Sequence, residues 1–291
     1  MVPKVSVIIT STGRPEIKSA IDSVKNQTYG NMEIIVVLDG SLPNGIETDG
    51  IKIIHLDNVR NGNISRNIGI KAATGEFIAL LDDDDIFYPQ KIEKQIKKIQ
   101  DAYDIEAVVS YTKVKMVSVG KSESKILPNS EINKNENILD YLFRRVNPGF
   151  IQTSTLLAHR SIFLNNLFNE KVPKHQDWDW LINVQNNLDV RFLMVSEVLT
   201  EYRLNKPGTS VGTQNKWRYS LSWFTKYEAN VSEETKSKFK SMVILNIMID
   251  QSLSKKQRLI ESIRLLEEIP VRYTDIWLKT ILKVVYYSIK Y

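Results

Sequence analysis

The sequence predicts an α/β fold, a mainly parallel central sheet with helices on both faces, followed by a helical C-terminal appendage. Three observations carry that reading. Over the first 82 residues, β-branched apolar runs and helix-periodic segments follow one another as strand, helix, strand, strand, helix, strand, with short connections. In the stretch Phe77 to Pro89, the apolar run Ile78 to Leu81 leads directly into Asp82, Asp83, Asp84 and Asp85 and then into Ile86, Phe87, Tyr88 and Pro89. An apolar run bounded by Gly75 and Pro89 fits a buried strand with carboxylates at its C-terminal edge. From Trp217 onward, only helical periodicity remains.

In order, Val5 to Thr10 is a β-branched strand, and Pro15 suits the first turn of a helix whose apolar face is Ile17, Ala20, Ile21 and Val24. Strands follow at Glu33 to Asp39 and Ile51 to Asp57. After the loop Asn58 to Asn63, a helix places Ile64, Ile68 and Ala72 on one side and closes at Gly75. The strand Glu76 to Asp82 comes next, then a helix with Ile92, Ile96 and Ile99 in register and lysines opposite. Val108 to Val119 alternates as a strand does, and Gly120 to Asn137 reads as a hairpin or loop. Ser154 to His159 is a strand before a short helix, and a strand pair spans Arg191 to Leu204 ahead of a loop from Asn205 to Thr213. Helices cover Trp217 to Ala229, Glu233 to Leu253, Lys255 to Glu268 and Thr274 to Lys290. The implied domains are 1–215, divided into halves at about residue 90, and 216–291.

Polar residues collect where the strands end: Thr10, Ser11 and Thr12, then Asp39, then the four aspartates. In an open parallel sheet these ends share one edge, where ligands bind, so the spacing predicts a nucleotide-like pocket. Four adjacent negative charges need a nearby cation or positive side chains unless they stand open to water. Hard oxygens of this kind suit Mg²⁺ or Mn²⁺ beside a phosphorylated ligand.

The chain has no cysteine, which excludes disulfides and thiolate zinc sites. No uncharged stretch is long enough to span a bilayer, and Met1 to Lys4 leads straight into a strand rather than a secretory helix, so the expected location is the cytosol. The net charge of +5 permits an anionic partner. Nucleic acid is not expected, because no basic stripe is interleaved with aromatics and the acidic quartet would repel phosphate. In the last helix, Lys279, Lys283 and Lys290 share a face, with Trp277, Leu278, Ile281, Leu282, Val285 and Ile289 around the other side. Two readings follow: a helix lying on an anionic membrane at the inner face of the cell, or one packed on the core with a solvated lysine face.

The motifs VSVIITSTGRP, SVKNQTYGNMEIIVVLDGS, SRNIGIKAATGEFIALLDDDDIFYP, QDWDWL and YRLNKPGTS occur in that order. Over residues 4 to 215 they resemble the family 2 glycosyltransferases, inverting nucleotide-sugar transferases of GT-A fold, of the kind that build bacterial polysaccharide, O-antigen or capsule. The resemblance implies that Thr10, Ser11, Thr12 and Arg14 hold the base and ribose, that Asp39 meets the pyrimidine edge, and that Asn61 and Arg66 stand near the base and phosphates. It implies Asp84 as the metal ligand, with Asp82 and Asp83 contacting ribose, sugar or metal-bound water. Tyr202, Arg203 and Ser210 resemble the loop that closes over the diphosphate. The histidine often seen in that loop is absent, Asn205 being nearest, and the QxxRW motif of processive synthases is also absent. A single addition is therefore expected.

The implied chemistry needs a divalent cation, Mn²⁺ or Mg²⁺, against the departing nucleoside diphosphate, and a base opposite it to deprotonate the acceptor hydroxyl. Asp177 is the expected base, with Asp179 the competing one, although Asp177 would also serve as an N-cap for a helix starting at Trp178. Gln176 replaces the family's usual glutamate. Trp178 and Trp180 are expected to wall the acceptor pocket, and His175 to contact the acceptor. The resemblance implies a nucleotide-sugar donor, a UDP-sugar ahead of the others, and as acceptor a glycan or a polyprenyl-diphosphate-linked saccharide. The alternatives are a nucleotidyltransferase, for which Ser11-Thr12-Gly13-Arg14 is a thin triphosphate loop, and a non-catalytic glycan- or nucleotide-binding module.

Overall fold

A computed structural model describes residues 2–102, 104–118, 123–144, 146–204 and 215–290. The chain forms two compact units, Met1–Lys134 with Gly149–Asn205, and Asn135–Pro148 with Lys206–Tyr291.

The first unit is built on a mixed sheet that has nine strands among the described residues. Strands β1 (Val5–Ser11), β2 (Met32–Leu38), β3 (Ile51–His55) and β4 (Phe77–Asp82) are the buried apolar runs of the N-terminal half. They lie in the order β3-β2-β1-β4, all parallel. Helix α1 (Ile17–Lys25) buries Ile17, Ala20, Ile21 and Val24, the face its periodicity predicts. Register sets the edge of the sheet: Thr10 pairs with Asp82, and Ser11 pairs with Leu38. The ends of β1, β2 and β4 therefore finish level, as expected from their polar tips.

The second half of the sheet is where antiparallel pairing enters. Strand β5 (Ile86–Phe87) follows the aspartates, and after α3 (Lys91–Gln100) come β6 (Val108–Ser118) and its hairpin partner β7 (Ser124–Leu127). Strand β8 (Leu157–His159) is shorter than its sequence suggests, because Thr153–Thr155 is a 3₁₀ turn whose Gln152 and Thr155 cap it reciprocally. Arg191 to Leu204 is one strand, β9 (Arg191–Leu204), and not a pair. Its pairing with β6 slips where Lys113 matches Val198 instead of continuing from Thr112 and Val195. The strand continues past that irregularity, from Lys113 opposite Val198 to Ser118 opposite Leu204.

Three local readings need correcting. Helix α2 (Gly62–Ala72) buries Asn63, Arg66, Asn67 and Ile70, leaving Ile64 and Ile68 half-buried, so its inward face is mostly polar. Its C-cap is Ala73, and Gly75 serves close approach instead: a Cβ there would stand 2.7 Å from the Ser6 nitrogen and 2.8 Å from the Lys4 carbonyl oxygen. Among the lysines of α3, Lys91 is fully buried, its Nζ donating to Gln95 Oε1 at 2.6 Å and lying 3.9 Å from the Phe87 ring centroid. Burial holds its pKa well below that of an ordinary lysine.

Glu33 ties β1, β2 and the turn before β4 together. Its carboxylate accepts from Ser6 Oγ, from Lys4 Nζ at 2.9 Å, and from the Thr74 and Gly75 amides at 2.7 and 3.2 Å. Burial alone would raise its pKa, but these donors outweigh burial and hold it down at about 2. The carboxylate thus stabilises the fold fully above the unfolded pKa, and the effect fades as pH falls from about 4.3 toward about 2. Urea denaturation of Glu33→Gln should show a loss of about 3 kcal/mol at pH 7 that largely disappears near pH 2. An equal loss at both pH values would contradict this account.

Among the described residues the second unit is helical: α4 (Ile138–Leu142), α7 (Trp217–Thr225), α8 (Glu233–Met248), α9 (Lys255–Glu267) and α10 (Thr274–Lys290). Phe239 forms its aromatic centre, stacked on Phe224 at 4.0 Å and near Phe143 at 5.5 Å. Ser232 and Ser254 cap α8 and α9 through their side chains, the latter in a reciprocal box with Gln257. Helices α5 (Arg160–Asn165) and α6 (Gln176–Asn187) belong to the first unit.

Candidate active site

The four aspartates leave β4 in a tight turn, Asp85 N–H donating to the Asp82 carbonyl at 3.1 Å, and their carboxylates share partners in pairs, Asp83 and Asp84 on Arg14 and Asp82 and Asp85 on Gln152. Asp82 accepts from Arg66 Nη2 at 2.8 Å and from Gln152 Nε2 at 3.2 Å. Asp83 accepts from Ser11 Oγ at 2.5 Å and pairs with Arg14. Asp84, half-buried where Asp83 is buried, accepts from Arg14 Nη1 at 3.2 Å. Asp85 is fully buried, accepting from Ser154 Oγ at 2.6 Å, Gln152 Nε2 at 3.0 Å and the Arg203 amide at 3.0 Å. Positive side chains therefore supply the compensation that the quartet demands, Arg14 from the β1 loop and Arg66 from α2. Burial first, then the charges of Asp82 and Asp84, push the Asp85 pKa well up, so Asp85 anchors the turn as a hydrogen-bonded group.

Arg66 reaches this edge because α2 buries its polar face. Its Nη1 donates to Gln176 Oε1 at 3.0 Å and to Asn63 Oδ1 at 3.2 Å, and its guanidinium lies 5.4 Å from the Phe168 ring centroid. Gln176 opens α6, so Arg66 joins the acidic turn to the helix that bears Asp177. The N-cap of α6 is His175, in the left-handed conformation at φ 62°, which leaves Asp177 inside the first turn and not at the cap. Asp177 accepts from the Thr153 amide at 3.4 Å. Burial raises its pKa, Arg66 opposes that, and Asp82 raises it further.

The model of Glycosyl transferase family 2 matches residues 6–169. The chain belongs to this family. It is a glycosyltransferase, and it is 30% identical over 234 residues to the amylovoran biosynthesis glycosyltransferase AmsB of Erwinia amylovora, covering 75% of each chain. It is 31% identical over 218 residues to the uncharacterized glycosyltransferase MJ1057 of Methanocaldococcus jannaschii, covering 69% of this chain and 71% of that one. An uncharacterized glycosyltransferase of Rickettsia felis is 36% identical over 202 residues, but this chain spans only 33% of its length. Among solved structures, S. aureus TarS 1–349 in complex with UDP-GlcNAc superposes with a TM-score of 0.62 at 15% identity, covering 98% of this chain and 89% of that one, a likeness of fold.

The remaining residues singled out in this glycosyltransferase are distributed unevenly about the edge. Thr10 is half-buried and Thr12 exposed at the end of β1, and Gly13 turns the loop at φ 83° where any Cβ would strike the Ser41 carbonyl. Asp39 accepts from the amides of Val59, at 2.9 Å, and Arg60, fixing the loop ahead of α2. Asn61 is the N-cap of α2, accepting from the Asn63 amide at 3.0 Å while its Nδ2 donates to the Glu170 carbonyl at 2.8 Å. Arg203 meets Asp85 through its backbone, and its Nε donates to Glu201 Oε1 at 2.8 Å. Ser210 and Asn205 lie outside the described residues.

The two tryptophans part company. Trp178 is half-buried and stacks on His175 at 4.7 Å, so this pair remains at the first turn of α6. Trp180 is 1% exposed, stacked on Phe163 and Phe168, with Nε1 donating to the Asn166 carbonyl at 2.7 Å. It is a core residue and cannot wall an acceptor. Asp179 is also buried, accepting from Asn183 Nδ2 at 3.1 Å. Helical geometry explains the separation, since successive residues point about 100° apart.

The residues that sequence reading missed are Gln152, Ser154, Tyr202 as an acid neighbour, and Asp85 as a buried anchor. Gln152 and Ser154 hold Asp82 and Asp85, and the intervening Thr153 meets Asp177, so one turn touches both groups of acids. The turn is supported from beneath by Gln95, whose Nε2 donates to the Thr155 carbonyl at 2.9 Å and whose Oε1 takes the buried Lys91. Burial raises the Tyr202 pKa, and the charges of Asp177, Asp85, Asp82 and Asp84 raise it further. Among the described residues, no group of three or more His, Asp or Glu side chains is arranged to hold a metal. Asp84 offers half-buried hard oxygens, a donor set suited to a Mg²⁺ or Mn²⁺ ion that takes its other ligands from phosphate and water.

Proposed function

We propose that this glycosyltransferase moves one sugar, with inversion, from a UDP-sugar to a hydroxyl of a glycan or polyprenyl-diphosphate-linked saccharide during polysaccharide biosynthesis. The observation that carries the reading is the turn Gln152 to Ser154, which binds the acidic loop on one side and Asp177 on the other. The names of the similar proteins support it: AmsB is an amylovoran biosynthesis enzyme, and TarS was solved with UDP-GlcNAc and with UDP.

In this reading the β1 loop and Asp39 receive the base and ribose. Asp39 already accepts two amides, yet a carboxylate has further lone pairs for a pyrimidine N–H. Arg14 and Arg66 stay cationic and offset the negative charge of Asp82, Asp83 and Asp84 beside the diphosphate. Asp84 holds Mg²⁺ or Mn²⁺, which when bound supplies Lewis-acid stabilisation of the leaving diphosphate. Asp177 accepts the proton of the acceptor hydroxyl. Its raised pKa makes it a stronger base than a solvated aspartate. His175 and Trp178 offer the aromatic surface for the acceptor.

Calorimetric titration with UDP and GDP, each with Mn²⁺ and with EDTA, tests the donor side. UDP should bind in Mn²⁺, weaken about tenfold or more in EDTA, and Asp84→Asn should lose that metal-dependent increment. No binding of either nucleotide under any condition would overturn the reading.

A further inference from the structure

Helix α10 is attached by a narrow face. Ile276, Thr280 and Val284 are buried, Thr280 Oγ1 lying 2.6 Å from Ser241 Oγ of α8. The face turned away from that contact is apolar: Leu278 is 53% exposed, Leu282 68%, Val285 51%, Tyr286 57% and Ile289 81%. Leu278, Leu282, Val285 and Ile289 follow the spacing i, i+4, i+7, i+11, a continuous stripe along the helix. A soluble surface rarely carries such a row without a use for it. On the neighbouring helix α9, Ile260 and Ile263 are exposed while Arg258 and Ser262 are buried, the reverse of an ordinary surface helix.

Charge identifies what covers the stripe. Lys279 and Lys283 are exposed, each one position, about 100°, around the helix from Leu278 and Leu282. From Ile276 to Lys290 there is no acidic residue. Residues 255–290 hold eight basic and four acidic side chains, so most of the chain's net +5 is concentrated there. Self-pairing of the stripe on a second copy would gather the lysines of both copies, whereas an anionic leaflet attracts them. Lysine stems can lie along the apolar face while their ammonium groups reach lipid phosphates.

We infer that α10 is a membrane-surface helix, lying in the headgroup region of an anionic bilayer with Leu278, Leu282, Val285 and Ile289 inserted and Lys279 and Lys283 on the lipid phosphates. It lies on the bilayer, since no helix among the described residues is long and apolar enough to cross one. This inference is independent of any donor or acceptor assignment, and its test uses no catalysis.

The test is co-sedimentation of the full chain with vesicles of phosphatidylcholine containing increasing phosphatidylglycerol. Binding should rise with the anionic fraction and fall with salt. Leu282→Glu with Ile289→Glu should reduce partitioning about tenfold or more, and so should Lys279→Glu with Lys283→Glu, because apolar insertion and lysine attraction act together. All four positions lie on the exposed side of α10, so circular dichroism and the thermal unfolding midpoint should match the parent. Absence of binding at equal parts of the two lipids, or binding unchanged in both double variants, would overturn the inference. A concentration-dependent dimer that Leu282→Glu dissociates, without vesicle binding, would assign the stripe to a second copy and would also overturn it.

Discussion

Asp177→Asn should lower kcat by about 10³-fold while leaving UDP affinity in Mn²⁺ within a few-fold of the parent. The substitution keeps the size of the side chain and an acceptor for the Thr153 amide, so its effect falls on proton transfer. The pH profile carries the same signature. As the proposed base Asp177 must be ionised, and burial raises its pKa above the ordinary aspartate value even with Arg66 nearby. Activity of the parent enzyme should therefore fail on the acid side at a higher pH than a solvated aspartate would give. Asp179→Asn provides the contrast: Asp179 is buried against Asn183, so its loss should show in stability ahead of turnover. If Asp177→Asn retains parental kcat, the base lies elsewhere.

Arg66→Ala should destabilise the fold by about 3–5 kcal/mol, read as a shift of the urea midpoint. Arg66 is 7% exposed and donates to Asp82, Asn63 and Gln176. Truncation strands the Asp82 carboxylate among Asp83, Asp84 and Asp85, where charge repulsion and desolvation add. Much of the cost is that uncompensated charge, so the pair Arg66→Ala with Asp82→Asn should recover a large part of the loss. Additive losses in the double variant would show that Arg66 acts chiefly through α6 and the Phe168 ring.

The fold and the polar edge of its sheet were legible because their signals are local. A β-branched run, a 3.6-residue apolar period or a proline at a helix start is written within ten residues, and the parallel order then forces Ser11, Asp39 and Asp82 to one edge. The ordered motifs gave the family for the same reason. The errors came where a local pattern has two solutions. The face of α2 is amphipathic either way, and only the docking of Phe168 and Gln176 decides that its polar side turns inward. In QDWDW both tryptophans look alike in sequence, while the rotation of α6 sends Trp180 into the core and leaves Trp178 on His175.

The chain's local order specifies the chemical groups and the sheet edge that collects them. Their pairing is specified only in the packed molecule. Arg66 meets Gln176 across 110 residues, Arg14 meets Asp83 across 69, and Gln152 meets Asp85 across 67. No periodicity spans such separations. The partners are chosen by which buried charge would otherwise go uncompensated, a condition set by the whole packed sheet and not by any one segment.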